Sequence, residues 1–215
     1  MNGKLIKMKK IFFLVLLVGS SSYSQDKFGI QNVTIFDGEK VIENSHILIE
    51  NGKVAEVSRS KINGDYDRID GTGKFLMPAL SNAHVHAWAP TSLTEAAKAG
   101  VLNLMDMHGV EMYQGMMTAL KDSTNYATYY IAGAAATVPE GHGTQYGFPT
   151  ATLEKPEEAE KFVEDRIKAG ADYIKIIVEP WKKTLDRETI SALIFSAHEK
   201  GKMAVSHISQ ADDAY

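Results

Sequence analysis

Residues 78–86 read Pro-Ala-Leu-Ser-Asn-Ala-His-Val-His, and the pattern of the sequence changes at this stretch. After it, short apolar runs alternate with segments whose apolar residues recur at helical spacing, which is typical of a parallel sheet covered by helices. His84 and His86 end the stretch two positions apart on a predicted strand, so both imidazoles project from the same face. Two nitrogen donors that converge in this way suit a metal ion, and a pair of ordinary loop histidines is the alternative.

The pattern after residue 78 predicts an α/β fold with five strands and four helices. The strands are expected at about 79–84, 101–106, 127–132, 172–177 and 203–207. The helices are expected near 91–99, 110–121, 154–169 and 187–200. Successive right-handed strand–helix units favour a barrel, in which catalytic groups gather at the carboxyl ends of the strands. His84 and His86 lie at that end of the first strand.

A different pattern precedes residue 78, where apolar runs end at turn residues. Asn51 and Gly52 separate two such runs, and both residues tolerate positive φ, which is typical of a tight hairpin. We therefore predict a small antiparallel β unit over residues 25–77. The α/β part then occupies residues 78–215.

Residues 1–24 are typical of a secretory signal peptide. Four lysines precede the apolar run of residues 11–18, and polar residues follow it. The run is too short for a membrane-spanning helix, which needs about 20 apolar residues. We expect cleavage after Ser24, with translation starting at Met1 or Met8. The chain has no Cys, so we expect a periplasmic or secreted protein with neither a lipid anchor in the membrane nor disulfides.

The net charge of the chain indicates which kinds of partner it can bind. The chain carries 27 acidic and 23 basic residues, and removal of residues 1–24 takes away four lysines and no acid. The remaining chain then has 19 basic residues and a balance of −8. Nucleic-acid-binding domains are usually basic, because they neutralise phosphates. We therefore exclude nucleic acid as a partner and expect a small-molecule or peptide substrate.

Several motifs in order resemble the opening of metal-dependent amidohydrolases, most of all their imidazolonepropionase-like and prolidase-like group. They are residues 32–38 (Asn-Val-Thr-Ile-Phe-Asp-Gly), 47–54 (Ile-Leu-Ile-Glu-Asn-Gly-Lys-Val), 70–78 (Asp-Gly-Thr-Gly-Lys-Phe-Leu-Met-Pro) and 84–86 (His-Val-His). The resemblance covers roughly residues 28–215. It implies a (β/α)8 TIM barrel of the amidohydrolase type, preceded by a small β-sandwich unit, and His84 and His86 as metal ligands.

Lys175 lies inside the apolar strand predicted at 172–177. A buried ammonium group is costly, so such a lysine reaches solvent, pairs with an acid or shifts its pKa towards neutrality. A neutral amine can add carbon dioxide to give a carbamate whose two oxygens bridge two cations. The resemblance implies this bridging role for Lys175 and implies that His207, at the end of the next strand, binds the second metal. A lysine that reaches solvent at the strand end is the alternative.

Weaker candidates lie near the same strand ends. His142 resembles a substrate-binding loop histidine of related enzymes, although an ordinary surface histidine fits the sequence equally well. Asp106 and His108 follow the second strand, where Asp106 is expected to accept hydrogen bonds from backbone amides of the next turn. Imidazole and carboxylate ligands suit one or two Zn²⁺ ions, and Mn²⁺, Co²⁺ or Fe²⁺ are alternatives.

The resemblance implies a hydrolase that cleaves amide, cyclic amide or peptide C–N bonds with a metal-activated water. A mononuclear, deaminase-like amidohydrolase is the alternative within enzymes. The resemblance places a further metal histidine after strand six and a catalytic aspartate after strand eight, and the sequence contains no histidine after His207.

An eight-stranded barrel takes about 250 residues, roughly twice the number that follow His84. We therefore expect an N-terminal fragment, truncated after about strand five, whose catalytic aspartate lies outside the sequence. The alternatives are an inactive gene fragment or a non-catalytic exported module that closes its open sheet as a homo-oligomer.

Overall fold

The computed structural model describes residues 27–120 and 123–214. The chain divides after Pro78 into two compact units. The predicted signal peptide, residues 1–24, lies outside the described residues and stays a prediction. Within the described ranges, no helix has the length and apolar character needed to cross a membrane.

The first unit is a five-stranded sheet. Its strands are β1 (Lys27–Phe36), β2 (Val41–Glu50), β3 (Lys53–Ser58), β4 (Asp67–Asp70) and β5 (Phe75–Leu76). The first three strands form an antiparallel meander in the order β3-β2-β1, whereas β4 and β5 both pair with β1 in parallel. The predicted antiparallel unit is therefore correct for the first three strands and wrong for the last two. A second layer of a β-sandwich stays a prediction.

The hairpin between β2 and β3 follows from its two turn residues. Asn51 has φ 51° and Gly52 has φ 72°, so both occupy the left-handed region that a two-residue hairpin turn requires. Glu50 pairs with Lys53 directly across this turn. The hairpin predicted from Asn51 and Gly52 is confirmed.

The second unit contains all nine predicted elements. Its strands are β6 (Leu80–Val85), β7 (Val101–Asp106), β8 (Thr128–Ile131), β9 (Ile174–Ile177) and β10 (Ala204–His207). Its helices are α1 (Pro90–Lys98), α2 (Glu111–Thr118), α3 (Ala159–Lys168) and α4 (Arg187–Glu199). Short 3-10 turns occupy Thr144–Tyr146, Pro156–Glu158 and Ala211–Ala214.

The start of α3 differs from the prediction. A helix was expected from residue 154, but residues 156–158 form a 3-10 turn and α3 begins at Ala159. Pro156 disfavours helical geometry at Lys155, which is extended with φ −131° and ψ 150°. The Glu158 carboxylate accepts hydrogen bonds from the backbone N–H groups of Glu154 and Lys155, so a side chain replaces the first helical turn.

All strands of the second unit pair in parallel, as β6-β7-β8 and as β9-β10. Residues just after β8 join the two sheets. Ala136 donates from its N–H to the Lys175 carbonyl at 2.7 Å and accepts from the Ile177 N–H at 2.9 Å. The carboxyl ends of β6 to β10 therefore lie along one edge. Closure into a barrel stays a prediction.

Two apolar clusters hold the helices against the strands. Leu193 of α4 and Val163 of α3 pack with Ile174 and Ile176 of β9. The other cluster places Leu93 of α1 among residues of α2, β7 and β8. The helical spacing of apolar residues predicted from the sequence thus decides which face of each helix is buried.

We expect Leu193→Ala to lower the free energy of unfolding by about 2–5 kcal/mol, since the side chain is fully buried and its truncation leaves a cavity. Phe195→Ala on the same helix is the matched control, because Phe195 is 67% exposed and its change should stay within about 0.5 kcal/mol. Urea unfolding followed by circular dichroism measures both. Equal losses in the two variants would contradict the packing of α4.

Candidate metal centre

One cleft lies at the carboxyl ends of the parallel strands in the second unit. We call it the histidine cleft. It is lined by His84, His86, Met107, His108, His142, Gly143, Tyr146, Lys175, Ile177 and His207. All five residues predicted for metal or substrate binding, from four separate parts of the chain, are therefore neighbours in space.

His84 and His86 lie side by side at the end of β6. Their ring centroids are 5.6 Å apart in an edge-to-face arrangement, as their spacing on a strand leads one to expect. The pKa of His84 is lowered, first by burial and then by the nearby charges of Lys175, His86 and His207. A neutral imidazole keeps a free lone pair, which is the form that binds a metal ion.

Lys175 is a deeply buried basic group of the cleft. Only 4% of the residue is exposed, and β9 is buried along its whole length. Among the described residues, none makes a hydrogen bond or an ion pair with its ammonium group. Burial lowers the pKa of Lys175, because the charged form loses its hydration. The alternative that this lysine extends into solvent is therefore disfavoured.

His207 is held by a carboxylate that the sequence analysis missed. Its Nε2 lies 3.3 Å from Oε2 of Glu179, whose other oxygen accepts from the Ser209 hydroxyl at 3.1 Å. Burial acts to raise the pKa of Glu179, but these two hydrogen bonds, a backbone hydrogen bond of Trp181 and the charge of His207 together outweigh it, so the pKa is lowered. The sequence contains one signal for this contact, because Glu179 lies two residues after β9, at the edge where polar groups that follow parallel strands gather.

His142 stacks on His207 across the cleft. The two rings are 4.7 Å apart and inclined by 28°. Burial is the main cause that lowers the pKa of His142, and the neighbouring His207 adds to it. The loop histidine is therefore part of the cleft and faces the predicted metal ligand.

Asp106 anchors the loops beneath His86. It is fully buried and accepts hydrogen bonds from the N–H groups of His108 at 2.9 Å and Ala87 at 3.0 Å. Its predicted role as an acceptor for backbone amides is confirmed. The Tyr129 hydroxyl donates a third hydrogen bond at 2.7 Å, and His86 Nδ1 lies 4.0 Å from the carboxylate. Burial raises the pKa of Asp106 despite these donors.

His108 lines the cleft, but both of its nitrogens are occupied. The Ala135 N–H donates to Nδ1 at 3.0 Å, so Nε2 carries the proton and donates to the Gly143 carbonyl at 3.0 Å. Burial lowers the pKa of His108, which favours this neutral form. His108 therefore ties together the loops that follow β7 and β8, and it has no lone pair left for a metal ion.

The donor set fits a divalent cation in its chemistry. His84, His86 and His207 supply imidazole nitrogens, and Lys175 supplies a buried amine that has no counter-ion among the described residues. In residues 27–120 and 123–214, no three His, Cys, Asp or Glu side chains form a ready-made coordination group. The residues that would hold a cation are thus collected in one cleft, while their ligand roles stay predictions.

No model of a known protein family matches the chain. The chain is 25% identical over 189 residues to an adenine deaminase of Desulforamulus reducens. The matched region covers 83% of this chain and 31% of that enzyme. It therefore spans less than a third of this curated relative. Adenine deaminase is a metal-dependent amidohydrolase.

Solved structures share the fold. A prolidase complexed with N-methylphosphonate-L-proline superposes with a TM-score of 0.75 at 18% identity, over 86% of this chain and 56% of that chain. A Xaa-Pro dipeptidase with methionine in its active site gives a TM-score of 0.74 at 20% identity, over 86% of this chain and 57% of that chain. At this identity the likeness shows the fold and leaves the substrate open.

Tyr129→Phe should lower the free energy of unfolding by about 1–3 kcal/mol, because it removes a donor from the buried Asp106 carboxylate. Tyr130→Phe on the same strand is the control. Among the described residues nothing bonds to the Tyr130 hydroxyl, so its loss should cost less than about 0.5 kcal/mol. Urea titrations of both variants test this difference, and a neutral Tyr129→Phe would show that the hydroxyl does not stabilise Asp106.

Proposed function

This chain belongs to the metal-dependent amidohydrolase superfamily, and on that premise we propose that its histidine cleft is the metal centre of a hydrolase acting on C–N bonds. The observation that carries the proposal is the convergence of His84, His86, Lys175 and His207 at one strand edge. Zn²⁺ suits these donors, and other divalent ions accept the same set.

Lys175 is the residue whose role differs between a binuclear and a mononuclear metal centre. In the proposed modification, the neutral Nζ attacks the carbon of carbon dioxide and an N–C bond forms while one C=O π bond breaks and leaves its electron pair on oxygen. An N–H proton then passes to water. The product is an anionic carbamate with two oxygens, suited to two cations. The lowered pKa of Lys175 and the lack of a counter-ion among the described residues support this reaction, because only the neutral amine is nucleophilic.

Glu179 and Asp106 are proposed to position the histidines. When His207 donates from Nε2 to Glu179, its Nδ1 keeps the lone pair that a metal ligand needs. Asp106 lies behind His86 and holds the backbone of Ala87, the next residue, and of His108 in the loop after β7. His142 faces His207 and is proposed to contact the substrate.

A bound divalent cation supplies Lewis acidity and lowers the pKa of water, which is the chemistry that amide hydrolysis requires. The proposed substrates are small molecules or peptides with an amide, cyclic amide or peptide bond. The metal histidine after strand six and the catalytic aspartate after strand eight stay predictions.

A mononuclear deaminase is the second candidate, favoured by the match to an adenine deaminase over 83% of this chain. A binuclear hydrolase needs Lys175 as a ligand, whereas a mononuclear deaminase does not.

Export to the periplasm or exterior rests on residues 1–24 and stays a proposal, as does association into a homo-oligomer. A non-catalytic module would give a defined oligomer in size-exclusion chromatography without bound metal.

The metal content of the purified chain tests the proposal. After incubation with Zn²⁺ and removal of excess, we expect His84→Ala and His86→Ala to lose most bound metal. Lys175→Ala should lose about half if the centre is binuclear and little if it is mononuclear, because a carbamate bridges two cations. Lys183→Ala is the control, since Lys183 is exposed and pairs with Glu154 at 2.7 Å. Metal binding that survives both histidine changes would refute the assignment.

Glu179→Gln should weaken metal binding by roughly 10- to 100-fold, the usual cost of losing a carboxylate that orients a histidine ligand. The amide has one acceptor oxygen and no charge, so it holds His207 less firmly. Competition with a chromophoric chelator measures the affinity. Glu188→Gln, in the exposed first turn of α4, is the matched control and should bind as the parent chain does. An unchanged affinity for Glu179→Gln would mean that Glu179 does not act through His207.

A further inference from the structure

Three aromatic side chains form a continuous surface beside the histidine cleft. We call Trp88, Tyr146 and Phe148 the aromatic wall. The Trp88 ring lies 5.2 Å from that of Tyr146 and 5.6 Å from that of Phe148, while Tyr146 and Phe148 stack at 6.0 Å with 10° between their planes. Trp88 follows β6, and the other two lie in the loop after β8, so tertiary contact alone brings them together.

The wall is continuous with the predicted metal ligands. The His86 ring lies 6.0 Å from Trp88 and 6.4 Å from Tyr146. Tyr146 itself lines the histidine cleft. A molecule bound with one end at His84 and His86 therefore has aromatic surface within reach of its other end.

The aromatic wall is held in place from behind. The Trp88 indole donates from Nε1 to the His108 carbonyl at 2.9 Å, and the His108 ring packs 5.4 Å from Phe148. Tyr146 ends a 3-10 turn flanked by Gly143 and Gly147, whose φ values of 99° and 78° set the path of the loop. The rings are thus oriented by their surroundings before any ligand binds.

Burial alone does not account for these rings. Trp88 is 37% exposed and Tyr146 is 41% exposed, so much of their apolar surface faces solvent. Among the described residues, the Tyr146 hydroxyl has no hydrogen-bond partner. An exposed apolar patch next to a polar cleft is typical of a ligand site.

The chemistry of the wall favours a neutral apolar ligand. The side-chain rings that contact it are those of His86 and His108. The described residues that line the adjoining histidine cleft include Lys175 and five histidines and no acidic residue, so a cationic group would find no opposite charge there. We propose that the aromatic wall is a substrate subsite that holds an apolar or aromatic side group while the scissile bond lies at the histidine cleft. This subsite rests on the proposed hydrolase function.

Fluorescence of Trp88 tests the subsite without any catalysis. In the full chain carrying Trp181→Phe, Trp88 is the sole tryptophan, since the sequence has 2. With chelator present, N-acetyl-L-phenylalanine amide should bind about tenfold more tightly than N-acetyl-L-alanine amide, as expected for one well-packed aromatic contact. Equal affinities for the two amides would overturn the proposal, and so would tighter binding of N-acetyl-L-lysine amide.

Variants test whether the aromatic wall causes the preference for the phenylalanine amide over the alanine amide. Tyr146→Ser should abolish most of the tenfold preference, whereas Tyr113→Ser, at an exposed tyrosine of α2, should retain it. Circular dichroism and urea unfolding confirm that both variants fold. A preference that survives Tyr146→Ser would place the binding elsewhere and overturn the proposal.

Zn²⁺ binding is measured in parallel and separates the two proposals. A chain that binds Zn²⁺ but shows no phenylalanine preference keeps the proposed metal centre and loses the subsite. A chain that shows the preference but binds no Zn²⁺ loses the proposed hydrolase function. The aromatic wall would then bind apolar groups in some other role, and its assignment as a substrate subsite would fall with the function.

Discussion

The arrangement of the second unit depends on the hydrogen bonds that join the segment around β8 to β9. Asp172 donates from its N–H to the Ile131 carbonyl at 2.7 Å, and Ala136 makes two further backbone hydrogen bonds. Through them the segment after β8 pairs in parallel with β9, at Lys175 and Ile177. This pairing aligns the carboxyl end of β9 with those of β6, β7 and β8, and β10 follows by its own pairing with β9. Without this join, Lys175 and His207 would have no reason to lie beside His84 and His86.

The histidine cleft gathers basic groups that oppose one another's charge. Burial lowers the pKa of His84, His142 and Lys175, and repulsion from neighbouring basic groups adds to this for the two histidines, so the neutral forms are favoured. Neutral imidazole and amine groups offer lone pairs, and a cation can bind where protons are disfavoured. Asp106 and Glu179 stand behind this group and bond to backbone and histidine atoms. The electrostatics of the cleft and its proposed metal chemistry therefore follow from the same burial.

The elements of the fold were predictable because their patterns are local. Turn residues such as Asn51 and Gly52, and apolar spacing such as that around Leu193, act through residues close in sequence. The parallel return of β4 and β5 to β1 and the 3-10 turn before α3 were not predicted. The first depends on a pairing between distant segments, and the second depends on competition between a proline, a carboxylate and the helix.

The sequence by itself determined the strand–helix order, the position of His84 and His86 at a strand end, and the place of Lys175 within an apolar strand. Each follows from periodicity and hydrophobicity along a short segment. Only the tertiary structure decided that Glu179 holds His207, that His108 has both nitrogens occupied, and that three aromatic rings adjoin the cleft. These contacts join residues from different loops, and loop geometry is set by packing between elements that no local pattern encodes.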